Sequence, residues 1–261
     1  MKAVRILVKA ANALLSAAAV LFLITAGSYS AYALWDNAQV YSTADNVMSE
    51  LLSLKPKPDA QEDNGASFEE LLAVNGDVCA WLTLDGTRID YPILQGEDNL
   101  SYINTDVYGS FALAGSIFLD SRCDNTFHDT YALVYGHHMD NGRMFGDLDK
   151  YKDGKFFGKN SAGALILPDR SYKLEIFACM LVPAAEGMIF DTQMRQTDIG
   201  GLLDFAEAEA VHLRPDTVEA ARGAESPQII ALSTCSSEYT DARTIVLAYM
   251  TPYTTETQVG G

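Results

Sequence analysis

An uncharged, largely apolar run from Ala10 to Trp35 opens the chain, and beyond it the hydrophobic positions change period twice. At about 1.5 Å of helical rise per residue, the 26 residues of the run exceed the roughly 30 Å of a bilayer core. They predict a transmembrane helix. From Asn37 to Leu54, Val40, Ala44, Val47, Met48, Leu51 and Leu52 recur at helical spacing and predict an amphipathic helix. Pro56 and Pro58 end it within Lys55–Gly65, a stretch of linker composition. Ser67 and Glu70 form a capping box for a short helix through Leu72. The whole segment between membrane run and globular part reads as a spacer, with packing of its helices on the globular part the open alternative.

From Val78 the period drops to that of short β-runs. Val78–Leu84 and Thr87–Leu94 are split by Asp85-Gly86, a hairpin signal. Ser116–Asp120, Tyr131–Tyr135, Ala164–Leu167 and Tyr172–Val182 continue the series, with Pro168-Asp169-Arg170 turning the chain before the last. Helical pieces are expected at Met144–Lys150 and Leu202–Ala210. The series closes with Gln228–Leu232 and Thr244–Met250, two buried-type runs joined through a polar loop, 236–241. Short strands with few helices predict a mainly β domain, a closed barrel or sandwich.

Length and charge refine this picture. The 261 residues allow one domain of about 200 residues plus an appendage, enough to fold without disulfides. The domains expected are a cytoplasmic tip and membrane anchor at 1–35, helix and linker at 36–66, and a β-rich globular domain at 67–261. Lys2, Arg5 and Lys9 precede the apolar run and no basic residue follows until Lys55, which places the N-terminus in the cytoplasm and the domain outside. Two other readings of the run stay open. Ala31-Tyr32-Ala33 resembles a signal-peptide cleavage site, and a buried core helix is the third reading; length and the lack of a polar face favour the anchor. Beyond Trp35 the net charge is −20, 15 basic against 35 acidic residues, the wrong sign for a nucleic-acid partner.

The chemistry gathers at the last two runs. Cys235 leaves the first strand and Arg243 enters the second, so their side chains can meet across the hairpin mouth. A thiol attacks as thiolate, which neighbouring positive charge favours, and a guanidinium is suited to holding an oxyanion. A base is available in Tyr131–Met139, where a strand reaches Gly136 and then His137 and His138; the glycine is expected to turn the chain sharply there. Alternating strand faces send the two imidazoles different ways. Cys79, Cys123 and Cys179 lie in or beside strands without metal-ligand spacing and read as buried free thiols; His128 and His212 read as surface residues. Glu238 and Asp241 in the loop, and Asp120 at a strand end, are further acidic candidates.

Leu232-Ser233-Thr234-Cys235, Arg243 eight positions later, and Tyr135-Gly136-His137-His138-Met139 together resemble a sortase, a cysteine transpeptidase of Gram-positive cell surfaces. Asp98–Arg122 is similar to the corresponding stretch of class B sortases, and the likeness covers roughly residues 65–253. The resemblance implies an eight-stranded β-barrel and puts the catalytic imidazole directly after Gly136, at His137. It makes Asn99, Tyr135, Ser233, Thr234 and Glu238 the candidate substrate-contacting residues. It also implies attack by Cys235 on the threonine carbonyl of a C-terminal sorting motif, NPxTx-like in class B. An amine of peptidoglycan or a pilin lysine then resolves the acyl-enzyme. Partners are sorting-signal-bearing surface proteins, and no metal or organic cofactor is implied.

Rival classes fit less well. L,D-transpeptidases carry glycine before the cysteine and arginine two residues after it, where this chain has Thr234 and Ser237. Papain-like hydrolases place the cysteine early, on a helix, ahead of the histidine; here the order is His then Cys. A non-catalytic surface binding module remains the alternative of a different kind.

Overall fold

Helix α1 runs unbroken from Lys2 to Leu51. The polar residues that begin at Asp36 do not end it, because no glycine or proline lies between Gly27 and Lys55 to interrupt the hydrogen-bond ladder. The expected membrane helix and amphipathic helix are thus one element. The computed structural model describes residues 2–57, 65–235 and 242–253, with the side chains at 43, 65–67 and 235 also outside the description. The chain divides into two units, residues 1–46 and 47–261. In the first, α1 is long and apolar enough to cross a membrane, and Leu14, Leu21, Phe22 and Leu23 are all exposed.

The second unit begins with Val47, Met48, Leu51 and Leu54, which pack against Phe68, Leu71, Trp81 and Tyr102. The spacer expectation is therefore corrected. Helix α2, Gly65–Val74, starts ahead of Ser67 and buries Phe68 and Leu71, spaced to share a face. Each such burial stabilises by about 1.5–3 kcal/mol, enough to hold the segment on the domain. Residues 58–64, the middle of the expected linker, and the Ser67 cap lie outside the described parts.

Among the described residues nine strands follow: β1 Val78–Leu84, β2 Asp90–Leu94, β3 Ile117–Leu119, β4 Tyr131–His137, β5 Ala162–Ile166, β6 Ser171–Pro183, β7 His212–Leu213, β8 Gln228–Cys235 and β9 Ala242–Pro252. Among the described residues the order is β5-β1-β2-β3-β4-β8-β9-β6, and pairing of β5 with β6 closes eight strands into a barrel. The two-residue β7 adds to β6 outside that ring. β2–β3 and β4–β8 are parallel and the other pairs antiparallel. Parallel strands need long crossovers. The one from β4 to β8 contains α3 Gly154–Lys159, α4 Gly187–Phe190, α5 Thr192–Arg195, α6 Ile199–Glu209 and α7 Pro215–Gly223. Covered on both faces, β8 carries a continuous apolar run, Ile229 to Leu232, that is fully buried.

Candidate active site

Register brings the three predicted residues to one end of three adjacent strands. β4 and β8 pair in parallel with His137 beside Cys235, across the 98 positions that separate them in sequence. β8 and β9 pair antiparallel with Ser233 opposite Ile245, and two positions further along that register stand Cys235 and Arg243. The backbone thus brings positions 137, 235 and 243 to the same end of the sheet. The Cys235 side chain and residues 236–241, with Glu238 and Asp241, lie outside the described residues.

Gly136 has a different purpose from the sharp turn expected of it. The strand continues through it to His137. A Cβ there would stand 2.4 Å from the Ile117 side chain and 2.7 Å from the ring of Phe145, a fully buried residue. Only glycine allows that approach, and the amide of Phe145 in turn donates to the carbonyl of His137 at 2.9 Å. The segment after the strand is folded back onto the histidine's own backbone.

The ring of His137 is held by the loop between β2 and β3. Its Nε2 lies 2.7 Å from the carbonyl oxygen of Ile103, which only accepts, so Nε2 carries the proton there. Gly115 makes this placement possible: it adopts φ +58, and a Cβ would come within 2.2 Å of the same Ile103 oxygen. His138 points elsewhere, its Nε2 3.1 Å from Asp149 Oδ2. That separation follows the alternation of strand faces.

Arg243 enters β9 half-buried, beside Val182 of β6. Its Nη1 is buried and has no hydrogen-bond partner among the described residues. A buried donor left unpaired is costly, so the geometry suits it to an acceptor oxygen brought from outside. The remaining cysteines are of opposite character. Cys79, Cys123 and Cys179 are buried and free, as expected, and burial pushes each thiol up to about 12. They are protonated at neutral pH and poor nucleophiles.

The candidate substrate-contacting residues fall into two groups. Asn99 and Tyr135 converge on Asp120: Asn99 Nδ2 donates to Oδ2 at 2.9 Å and the Tyr135 hydroxyl at 3.0 Å. Arg122 grips the same carboxylate through Nε at 2.8 Å and Nη2 at 2.7 Å. Burial works against the Asp120 charge, but the Arg122 hydrogen bonds and charge outweigh it and lower the carboxyl below its usual range. The Tyr135 ring stacks on Phe190 of α4, with planes 5° apart. Ser233 and Thr234 are buried; Tyr135 neighbours Ser233 across the strands, and Thr234 Oγ1 accepts from the Thr244 amide at 3.4 Å.

Sequence reasoning missed the Ile103 carbonyl, Gly115, Asp149 and Thr244. A backbone acceptor leaves no mark in the sequence, and Asp149 is one carboxylate among 35 acidic residues. Gly115 just ahead of a strand was the one available signal.

The fold is that of the sortase barrel. A Streptococcus pyogenes class B sortase involved in pilus biogenesis superposes with TM-score 0.63 and 38% identity, covering 75% of this chain and all of that one. Sortase B of Listeria monocytogenes is 34% identical over 66% of this chain and 68% of its own length. Sortase B of Staphylococcus aureus is 30% identical over 72% and 76%. No family model matches the chain. With these relatives, the chain belongs to the class B sortases. That membership makes it a transpeptidase of the sortase type, acting on cell-surface proteins.

Proposed function

We propose that Cys235 is the nucleophile, His137 the acid and base, and Arg243 the oxyanion donor of a membrane-anchored transpeptidase. The single observation that carries this reading is the shared register of the three residues on β4, β8 and β9. The buried Nη1 of Arg243, which has no hydrogen-bond partner among the described residues, and the three silenced thiols support it.

The Cys235 thiolate adds to the threonine carbonyl of a sorting motif, and the electron pair displaced onto oxygen is held by Arg243. Collapse of this adduct breaks the peptide bond. The departing amine takes a proton from His137 and leaves a thioester on Cys235. A second amine then loses its proton to His137, adds to the thioester and expels the thiolate, so the enzyme returns unchanged. The motif is an Asn-Pro-X-Thr type, and the accepting amine belongs to peptidoglycan or a pilin lysine. The pilus role of the S. pyogenes relative favours keeping the pilin acceptor in view. Helix α1 anchors the enzyme, with Lys2, Arg5 and Lys9 on the cytoplasmic side and the barrel outside.

The test is turnover of a dye–quencher peptide carrying Asn-Pro-X-Thr by the full-length protein in detergent. Cys235→Ala abolishes cleavage while the β-sheet circular dichroism stays unchanged. Retained cleavage in that variant removes the assignment.

A further inference from the structure

Asp149 lies in the 3₁₀ turn Gly146–Lys152, outside the three strands that carry the proposed chemistry, yet it touches the ends of two of them. Its Oδ1 accepts from the hydroxyl of Thr244 at 2.7 Å, and its Oδ2 faces His138 Nε2 at 3.1 Å. Thr244 is the residue after Arg243 on β9, and His138 the residue after His137 at the end of β4. One carboxylate therefore spans the exit of the histidine strand and the entrance of the arginine strand, with β8 between them. We propose that Asp149 is a positioning residue that sets the spacing of His137 and Arg243 by clamping His138 and Thr244.

The surroundings make the clamp stiff. Thr244 is buried, and its amide is tied to Thr234 Oγ1 in β8. On the other side, His138 bridges back to Met144, and the turn that bears Asp149 starts at Gly146. A Cβ at Gly146 would sit 2.0 Å from the Met139 carbonyl oxygen, so the return of the chain onto the strand end is close. Lys152 Nζ also reaches Asp149 Oδ1, at 2.8 Å, but from the same turn and with both side chains about a third exposed. An ion pair of that kind contributes little and connects no second strand. Displacement of a reacting group by about 1 Å costs on the order of a hundredfold in rate. Loss of one tether from a strand otherwise held by its ladder is a smaller change, so the expected loss is about tenfold.

This inference rests on the proposed roles of His137 and Arg243, and the experiment separates the two. The full-length protein in detergent is assayed with the Asn-Pro-X-Thr peptide. Thr244→Val, which keeps the shape and removes the hydroxyl, lowers kcat about tenfold with KM within twofold. Thr244→Ser restores at least half of the wild-type kcat. Asp149→Ala, which removes both contacts, lowers kcat at least as far, and adding Thr244→Val to it costs nothing further, because that connection is already broken. Lys152→Ala leaves kcat unchanged. Should Thr244→Val fail to fold, Asp149→Ala on its part-exposed turn carries the test. A Thr244→Val or Asp149→Ala enzyme with a lowered melting temperature and unchanged kcat overturns the proposal, as do fully additive losses. If His137→Ala and Arg243→Ala keep their turnover, the reading of the site itself falls instead.

Discussion

Replacing Gly115 by alanine tests the hold on His137 at a position outside the proposed triad. The left-handed φ of +58 alone disfavours a Cβ by about 1–2 kcal/mol. The larger effect is contact: the new carbon would lie 2.2 Å from the Ile103 carbonyl oxygen. Ordinary van der Waals separation needs about 3.4 Å, so that oxygen must retreat by roughly 1 Å. The bond from His137 Nε2, now 2.7 Å, then passes beyond hydrogen-bond range, and the ring loses the acceptor that fixes it. A misplacement of this size costs about a hundredfold, so kcat for the Asn-Pro-X-Thr peptide is expected to fall by ~10². Gly109 supplies the control. It too has positive φ, +76, but a Cβ there meets nothing within 4 Å. Gly109→Ala therefore loses about 1 kcal/mol of stability in urea titration and keeps its kcat. Equal losses of kcat in the two variants, or a Gly115→Ala enzyme within threefold of wild type, refute the argument that the Ile103 carbonyl orients the imidazole.

Two further predictions follow from charge and donor geometry. Arg243→Lys keeps a positive charge but loses the planar fork, so kcat falls by at least ~10² to 10³ while alkylation of Cys235 by a small neutral reagent changes far less; parallel collapse of both rates assigns arginine to the thiolate instead. Asp120→Asn removes the charge that Arg122 grips and costs about 2 kcal/mol at pH 7, a buried-pair value discounted for the part-exposed Arg122. The Asp120 carboxyl is lowered in the folded protein, so its stabilisation is present above its unfolded pKa of about 4 and disappears as pH falls through the folded value. Urea unfolding at pH 7 and at pH 2–3 measures this, and a difference between variant and wild type that does not shrink in acid contradicts it.

The final hairpin was legible because its two apolar runs and the eight-residue step from Cys235 to Arg243 define an antiparallel register locally. Pairing of β4 with β8 was not, since hydrophobic periodicity says that a strand is buried and nothing about its distant neighbour. Only the resemblance of motifs joined His137 to Cys235 before the register did. Helix α7 was missed despite Pro215 at its first turn and Gly223 at its end, because only Val218 and Ala221 are buried along it and so short a face gives little periodic signal. The spacer reading failed for a related reason. Phe68 and Leu71 look like an isolated pair beside the charged linker, and only the barrel shows what they pack against.

The central claim is that Cys235 forms the acyl-enzyme. Intact-protein mass after brief incubation of the full-length enzyme with the Asn-Pro-X-Thr peptide, acid quench and peptide mapping tests it directly. The account predicts a mass gain equal to the peptide acid ending at threonine less one water, located on Cys235, released by hydroxylamine, and missing from Cys79, Cys123 and Cys179. A fragment found on any other residue, or cleavage of the peptide by a protein that never gains the mass, would contradict it.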